Sequence, residues 1–208
     1  MSSGPESMLI QNRQRKLDDL REMGLAAYPH KFEFSHTVSE AVAAFSGLDH
    51  DSLEAEPRQV RTCGRIIALR AFGKASFAHL SDGLAKLQFY VRKDAVDETT
   101  FQVFQLLDVG DVIGLSGRLF RTRTGELTVL VERLELLAKC LLPLPEKWHG
   151  LTDVEIRYRQ RYLDLVVNPD VRLIFERRAR IIQRLRQFLE GRGYLEVEPP
   201  MMRHIAGG

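Results

Sequence analysis

The spacing of hydrophobic positions changes along the chain. Over residues 8–23 it is helical: Ile10, Leu17, Leu20 and Met23 fall on roughly one side, and Gly24 supplies a stop. Arg13, Arg15, Lys16 and Arg21 take the rest of that surface and read as a solvated face. Tyr28-Pro29 ends the segment, a short helix is expected over 38–45, and 46–57 reads as a polar connector. From Arg58 the pattern turns to strands, at 59–69, 75–80 and 85–91. A helix over 95–108, opened by Asp94, carries Val96, Phe101, Phe104 and Leu107. Two more strands follow, at 111–121 and 127–137, joined by Thr122-Arg123-Thr124-Gly125.

Three strands, a helix and two strands are the element order of an OB-fold barrel. Gly64, Gly114 and Gly117 lie inside strands, where glycine marks a bulge or bend that a small barrel requires. The fold class is therefore mainly β with flanking helices (α+β). A helical segment over 1–57 precedes a five-stranded barrel over 58–140. A linker over 141–168 comes next. Its first part, 141–149, holds two prolines, and 152–164 is charged, Tyr-rich and helical in pattern. In 169–208, Asn168-Pro169-Asp170 signals a helix start, and Ile174, Ile181, Ile182, Leu185 and Leu189 recur at helical spacing. Gly191-Arg192-Gly193 stops that helix, and 194–197 reads as a short strand before Pro199-Pro200. One helix and one strand cannot bury a core of their own. This region reads as the opening of a larger domain, or as a tail that packs on a partner.

The candidate chemistry lies on the hairpin of 75–80 and 85–91. Asp82-Gly83 is a strong turn signal. Centring the turn there sets Phe77 opposite Gln88. Ser76, Ala78, Leu80, Ala85, Leu87 and Phe89 then share one face, and Phe77, His79, Lys86, Gln88 and Tyr90 share the other. The first face can fill a barrel. The second offers an aromatic ring, an amide and a cation to water, which suits an unpaired base.

Composition narrows the setting. The 208 residues are 44% hydrophobic and 28% charged, as in ordinary globular chains, and the net charge is only +2. Any nucleic-acid contact must therefore be local. Cys63 and Cys140 form no metal or disulfide spacing, so a reducing cytoplasm is the expectation. No apolar run approaches a membrane span, and residues 1–10 lack the pattern of a signal peptide. No Gly-rich phosphate loop, Ser-His-Asp set or metal cluster is visible, and the Glu196/Glu198 pair has no positioned partner.

Several runs carry a resemblance. They are Lys16-Leu17 with Leu20-Arg21 and Gly24; Gly73-Lys74-Ala75-Ser76-Phe77; Thr124-Gly125-Glu126-Leu127; Lys147-Trp148-His149-Gly150-Leu151; and Arg157-Tyr158-Arg159-Gln160-Arg161-Tyr162-Leu163-Asp164-Leu165. A last run, 192–202, resembles class II motif 1. Over essentially its whole length the chain resembles the N-terminal part of a bacterial-type class II lysyl-tRNA synthetase. Pro199 and Ala206 depart from residues usual in close relatives, Thr and Pro, at positions that touch no chemistry.

The resemblance implies an anticodon-binding barrel followed by the first helix and strand of the synthetase catalytic domain. In related aspartate-type enzymes an Arg before the hairpin, a Phe on the second strand and a Gln eleven residues later read the central anticodon uridine. Those correspond to Arg70, Phe77 and Gln88. Glu126 is a candidate reader of another anticodon base. Motif 1 implies a homodimer interface that includes Ile181, Leu185, Gly193 and Pro200, and Gly208 corresponds to the edge of the lysine pocket. The complete family enzyme uses ATP and Mg2+ to activate lysine and charge tRNA(Lys). It holds them through motifs 2 and 3, which these residues do not include, so no catalytic or metal residue is expected in this span, and the span by itself is expected to be inactive. Two other readings stand beside this one: a stand-alone OB-fold protein that binds tRNA or single strands without catalysis, and a sister synthetase for aspartate or asparagine.

Overall fold

The computed structural model describes residues 5–72, 75–145 and 151–199. The chain divides into two compact units, Met1–Leu144 and Pro145–Gly208.

In the first unit, helix α1 (Pro5–Glu22) is followed by α2 (Val38–Phe45) and α3 (His50–Ala55). Strands β1 (Gln59–Phe72), β2 (Ala75–Ser81) and β3 (Lys86–Arg92) lead to helix α4 (Glu98–Gln105) and to strands β4 (Val112–Arg121) and β5 (Leu127–Ala138). The strands close into a barrel in the order β1-β2-β3-β5-β4. All neighbours are antiparallel except β3 and β5, which pair in parallel at Gln88↔Thr128, Phe89↔Val129 and Tyr90↔Leu130. The five-stranded barrel expected from the element order is present.

Alternation accounts for the barrel interior. Ala78, Leu80, Leu87, Phe89 and Val91 are buried, and meet Ile66, Ile113, Leu115, Leu119, Val129 and Val131. α4 adds Phe101, Val103 and Phe104 to the core. Gly117 sits where the β4–β5 register shifts, and a Cβ there would lie 2.0 Å from the Leu130 carbonyl oxygen. The bulge therefore needs glycine.

Several local expectations need correction. The stretch 46–57 is not a plain connector. Asp49 caps α3 by accepting from Ser52 N–H at 2.8 Å, and Leu53 anchors the turn in the core. Asp97, not Asp94, opens α4, accepting from Thr100 N–H at 2.7 Å. Asp94 instead pairs with Arg92. The α1 cations are not all solvated. Lys16 Nζ lies 2.7 Å from Asp108 Oδ1, and Arg13 donates to the carbonyls of Val109 and Cys140. Asp108 also meets Lys139, whose fully buried Nζ contacts Asp108 Oδ2 and Asp111 Oδ2, each at 2.7 Å, and the Leu106 carbonyl at 2.8 Å. Burial works against the Asp108 charge, but hydrogen bonds from Lys139 and Lys16 outweigh it and hold its carboxyl below the usual range. This network fastens α1 to the barrel.

The second unit holds helices α5 (Val154–Arg159), α6 (Arg161–Val167) and α7 (Pro169–Glu190). The single helix expected over 152–164 breaks at Gln160, whose backbone leaves the helical region. Buried Asp164 accepts from Arg157 Nε at 3.0 Å, from Asn168 Nδ2 at 2.7 Å and from Arg161. Asn168 is thereby drawn off the capping role expected of it, and Pro169 alone marks the start of α7. Residues 194–199 form no strand, because no described segment offers them a ladder partner. Gly193 ends the α7 stop at φ 85°.

Candidate nucleic-acid interface

The hairpin places its polar face at one side of the barrel, with one change from expectation. The loop spans four residues, since Ser81 pairs with Lys86, and the turn centre moves by one position. Phe77 therefore faces Tyr90, and His79 faces Gln88. The pairing of Phe77 with Gln88 is incorrect. A shift of the centre by one residue moves each partner by two, so every side chain keeps its face. The longer loop is set by Asp82. Its Oδ1 accepts from Leu84 and Ala85 N–H, both at 2.9 Å, and its Oδ2 accepts from Ser39 N–H at 2.7 Å. Burial opposes the Asp82 charge, but these N–H groups prevail and keep the carboxyl below its usual range.

Phe77 is half-buried, and its ring is not inside the barrel. Tyr90 stacks on it with centroids 4.3 Å apart and planes 19° apart, and Phe120 lies 6.2 Å beyond Tyr90. Arg70 is the cross-strand partner of Phe77 on β1 and is exposed. β1 runs three residues past the expected end and so carries Arg70 to this edge.

Gln88 is not open to water as alternation suggests: it is 9% exposed. The parallel closure of β3 on β5 sets Thr128 beside it, and Thr128 Oγ1 donates to Gln88 Oε1 at 2.7 Å. Gln88 Nε2 donates to Glu126 Oε2 at 2.8 Å, and His79 Nε2 lies 2.9 Å from Glu126 Oε1. These groups line a cavity of about 410 Å³ with Arg70, Phe77, Thr122, Arg123 and Thr124. The cavity thus offers a supported aromatic ring, a held amide and two exposed guanidinium groups. A base can stack and hydrogen-bond there while its phosphates meet arginine.

Arg70, Phe77, Gln88 and Glu126, singled out in the sequence, all come together here. Tyr90 as the ring's support and Thr128 as the amide's partner were missed. Tyr90 was visible on the same face, but Thr128 depends on the β3–β5 closure. Ile181, Leu185 and Gly193 lie on or just after α7, all exposed, and Pro200 and Gly208 lie outside the described residues. Among the described residues no group of three or more His, Cys, Asp or Glu is arranged to hold a metal, and no helix is long and apolar enough to cross a membrane.

Comparison with known families agrees with this geometry. Residues 60–137 match the model of the OB-fold nucleic acid binding domain, and residues 153–208 match the model of tRNA synthetases class II (D, K and N). The class is therefore an OB-fold nucleic-acid-binding barrel joined to the start of a class II tRNA synthetase domain.

The relatives narrow it further. The chain is 50% identical over 200 residues to the lysine–tRNA ligase of Carboxydothermus hydrogenoformans, covering 96% of this chain and 40% of the relative. It is 49% identical over 209 residues to that of Magnetococcus marinus, covering 100% of this chain and 42% of the relative. The lysine–tRNA ligase of Bacillus subtilis is 46% identical over 199 residues. Over nearly its whole length the chain is homologous to lysine–tRNA ligases, and it spans about 40% of the length of these relatives.

Proposed function

We propose that this chain is the tRNA-recognising part of a lysine–tRNA ligase, and that the barrel cavity binds the anticodon of tRNA(Lys). One observation carries the reading: a half-buried Phe77 ring, supported from one side by Tyr90, beside a held Gln88 amide and the Arg70 guanidinium. In this reading the central uridine stacks on Phe77, Gln88 bonds its Watson–Crick edge, and Arg70 adds charge at the rim.

The complete enzyme would activate lysine with ATP and Mg2+ and transfer it to the tRNA 3′ end. The described residues carry no cluster fit for a metal, and no step of that chemistry is assigned to them. α7 would serve a homodimer, since Ile181, Leu185 and Phe188 stand 68%, 58% and 54% exposed on it. A cytoplasmic setting suits two free thiols.

The test is binding of the 208-residue chain to a hairpin that carries the tRNA(Lys) anticodon loop. Phe77→Ala should weaken it by about 1–3 kcal/mol, the scale of one lost base stack. Gln88→Ala should relax choice at the central base more than it lowers affinity. Unchanged binding by Phe77→Ala, with the barrel still folded, would refute the reading. Sedimentation of the chain checks the dimer separately.

A further inference from the structure

We propose that Glu126 and His79 are positioning residues for Gln88. With Thr128, they fix which end of its amide meets the base, and so make the cavity select uracil over cytosine. The proposal deepens the anticodon reading and rests on it. The two ends of a glutamine amide are nearly equal in size, so polarity alone decides which way it points. Here one end faces Glu126 Oε2 at 2.8 Å. An ionised carboxylate accepts and cannot donate, so only the amide nitrogen fits that side. The amide oxygen takes the Thr128 hydroxyl at 2.7 Å. A flipped amide would press its oxygen against the carboxylate in a site from which Gln88 is largely shielded from water.

Glu126 is itself held. His79 Nε2 lies 2.9 Å from its Oε1, and because the carboxylate accepts, the ring nitrogen carries the proton. Glu126 N–H donates to Thr122 Oγ1 at 3.1 Å, and Thr122 N–H donates to the Glu126 carbonyl at 3.1 Å, which pins the turn. His79 is also the cross-strand partner of Gln88, so the clamp closes within one patch of barrel. With one lone pair of each carboxylate oxygen engaged, Glu126 acts on the base through Gln88.

The locked amide has one N–H and one oxygen lone pair to spare. Uracil presents O4 as acceptor and N3–H as donor, which match that pair. Cytosine presents N4–H and a bare N3, so in the same stacked pose donor meets donor and acceptor meets acceptor.

The experiment measures binding of the full chain to three RNA hairpins: one with the uridine-centred anticodon loop, one with cytidine at the centre, and one altered at a flanking loop base. Thermal unfolding checks that each variant is folded. Wild type should prefer the uridine centre. Glu126→Gln removes the obligate acceptor and should cut the uridine-to-cytidine ratio by about ten-fold. Any general rise in RNA affinity from the lost negative charge cancels in the ratio. Thr128→Val and His79→Ala should lower the ratio in the same direction. An unchanged ratio in Glu126→Gln overturns the proposal. So does a loss of choice confined to the flanking base, which would make Glu126 a direct reader. An unchanged ratio in His79→Ala alone removes His79 from the clamp. A wild-type chain with no central preference, unaffected by Phe77→Ala, defeats the anticodon reading instead.

Discussion

Replacing Lys139 with Met tests what joins α1 to the barrel. Met keeps most of the side chain's length but removes the ammonium group. That group is fully buried, 2.7 Å from Asp108 Oδ2, 2.7 Å from Asp111 Oδ2 and 2.8 Å from the Leu106 carbonyl. Without it, two carboxylates that converge on one nitrogen face each other, and the Asp111 side chain is 0% exposed. Part of the loss is softened: Asp111 still accepts from Cys140 and Asp108 N–H, and Asp108 still meets Lys16. Removing one member of a buried pair costs about 3–5 kcal/mol. For a unit of this size that lowers the melting temperature by roughly 10–15 °C.

The assay is thermal unfolding of both chains by circular dichroism from pH 7 down to pH 3. The Asp108 carboxyl is held below its usual value in the fold. Its contribution is therefore fully present above the ordinary carboxylate range, and wild type loses it as pH falls through that range and below. Lys139→Met has already lost most of it, so the gap between the two chains should be widest at pH 7 and should narrow on acidification. Adding Asp111→Asn to the variant should recover part of the loss at pH 7. A variant as stable as wild type at pH 7, or a gap that widens in acid, would refute the reasoning.

Other outcomes follow from single groups. Thr62 is fully buried, and its hydroxyl has no hydrogen-bond partner among the described residues. Thr62→Val should raise stability by about 1 kcal/mol in urea unfolding, and a loss would show that the hydroxyl is satisfied. Asp82→Ala should cost about 1–3 kcal/mol at pH 7, because three N–H groups lose their acceptor. Since the Asp82 carboxyl is held low, that cost should shrink as pH falls below the ordinary carboxylate range; a cost independent of pH would contradict the assignment.

The barrel was legible because apolar residues alternate along the hairpin: Ala78, Leu80, Leu87 and Phe89 announce one buried face. Arg70, Phe77, Gln88 and Glu126 could be named because their residue types match base recognition and a known family pattern. What escaped depends on contacts distant in sequence. The hairpin centre moved because Asp82 bonds within the loop to Leu84 and Ala85 N–H, and its other oxygen is held by Ser39, a partner distant in sequence. Gln88 proved buried because closure of β3 on β5 sets Thr128 against it. Arg13 and Lys16 look like solvated charges on a helix wheel, yet their partners lie at Val109, Cys140 and Asp108. Residues 194–197 have a strand's composition, but a strand also needs a neighbour.

The most direct test of the central claim follows the site's own nuclei during RNA titration. Side-chain amide and aromatic resonances of the full chain are recorded as the anticodon hairpin is added. Stacking on Phe77 should shift its ring protons upfield, and base pairing to Gln88 should move its Nε2 resonances, with both effects weaker for the cytidine-centred hairpin. Saturable binding that leaves Phe77 and Gln88 unmoved while other surfaces shift would contradict the account.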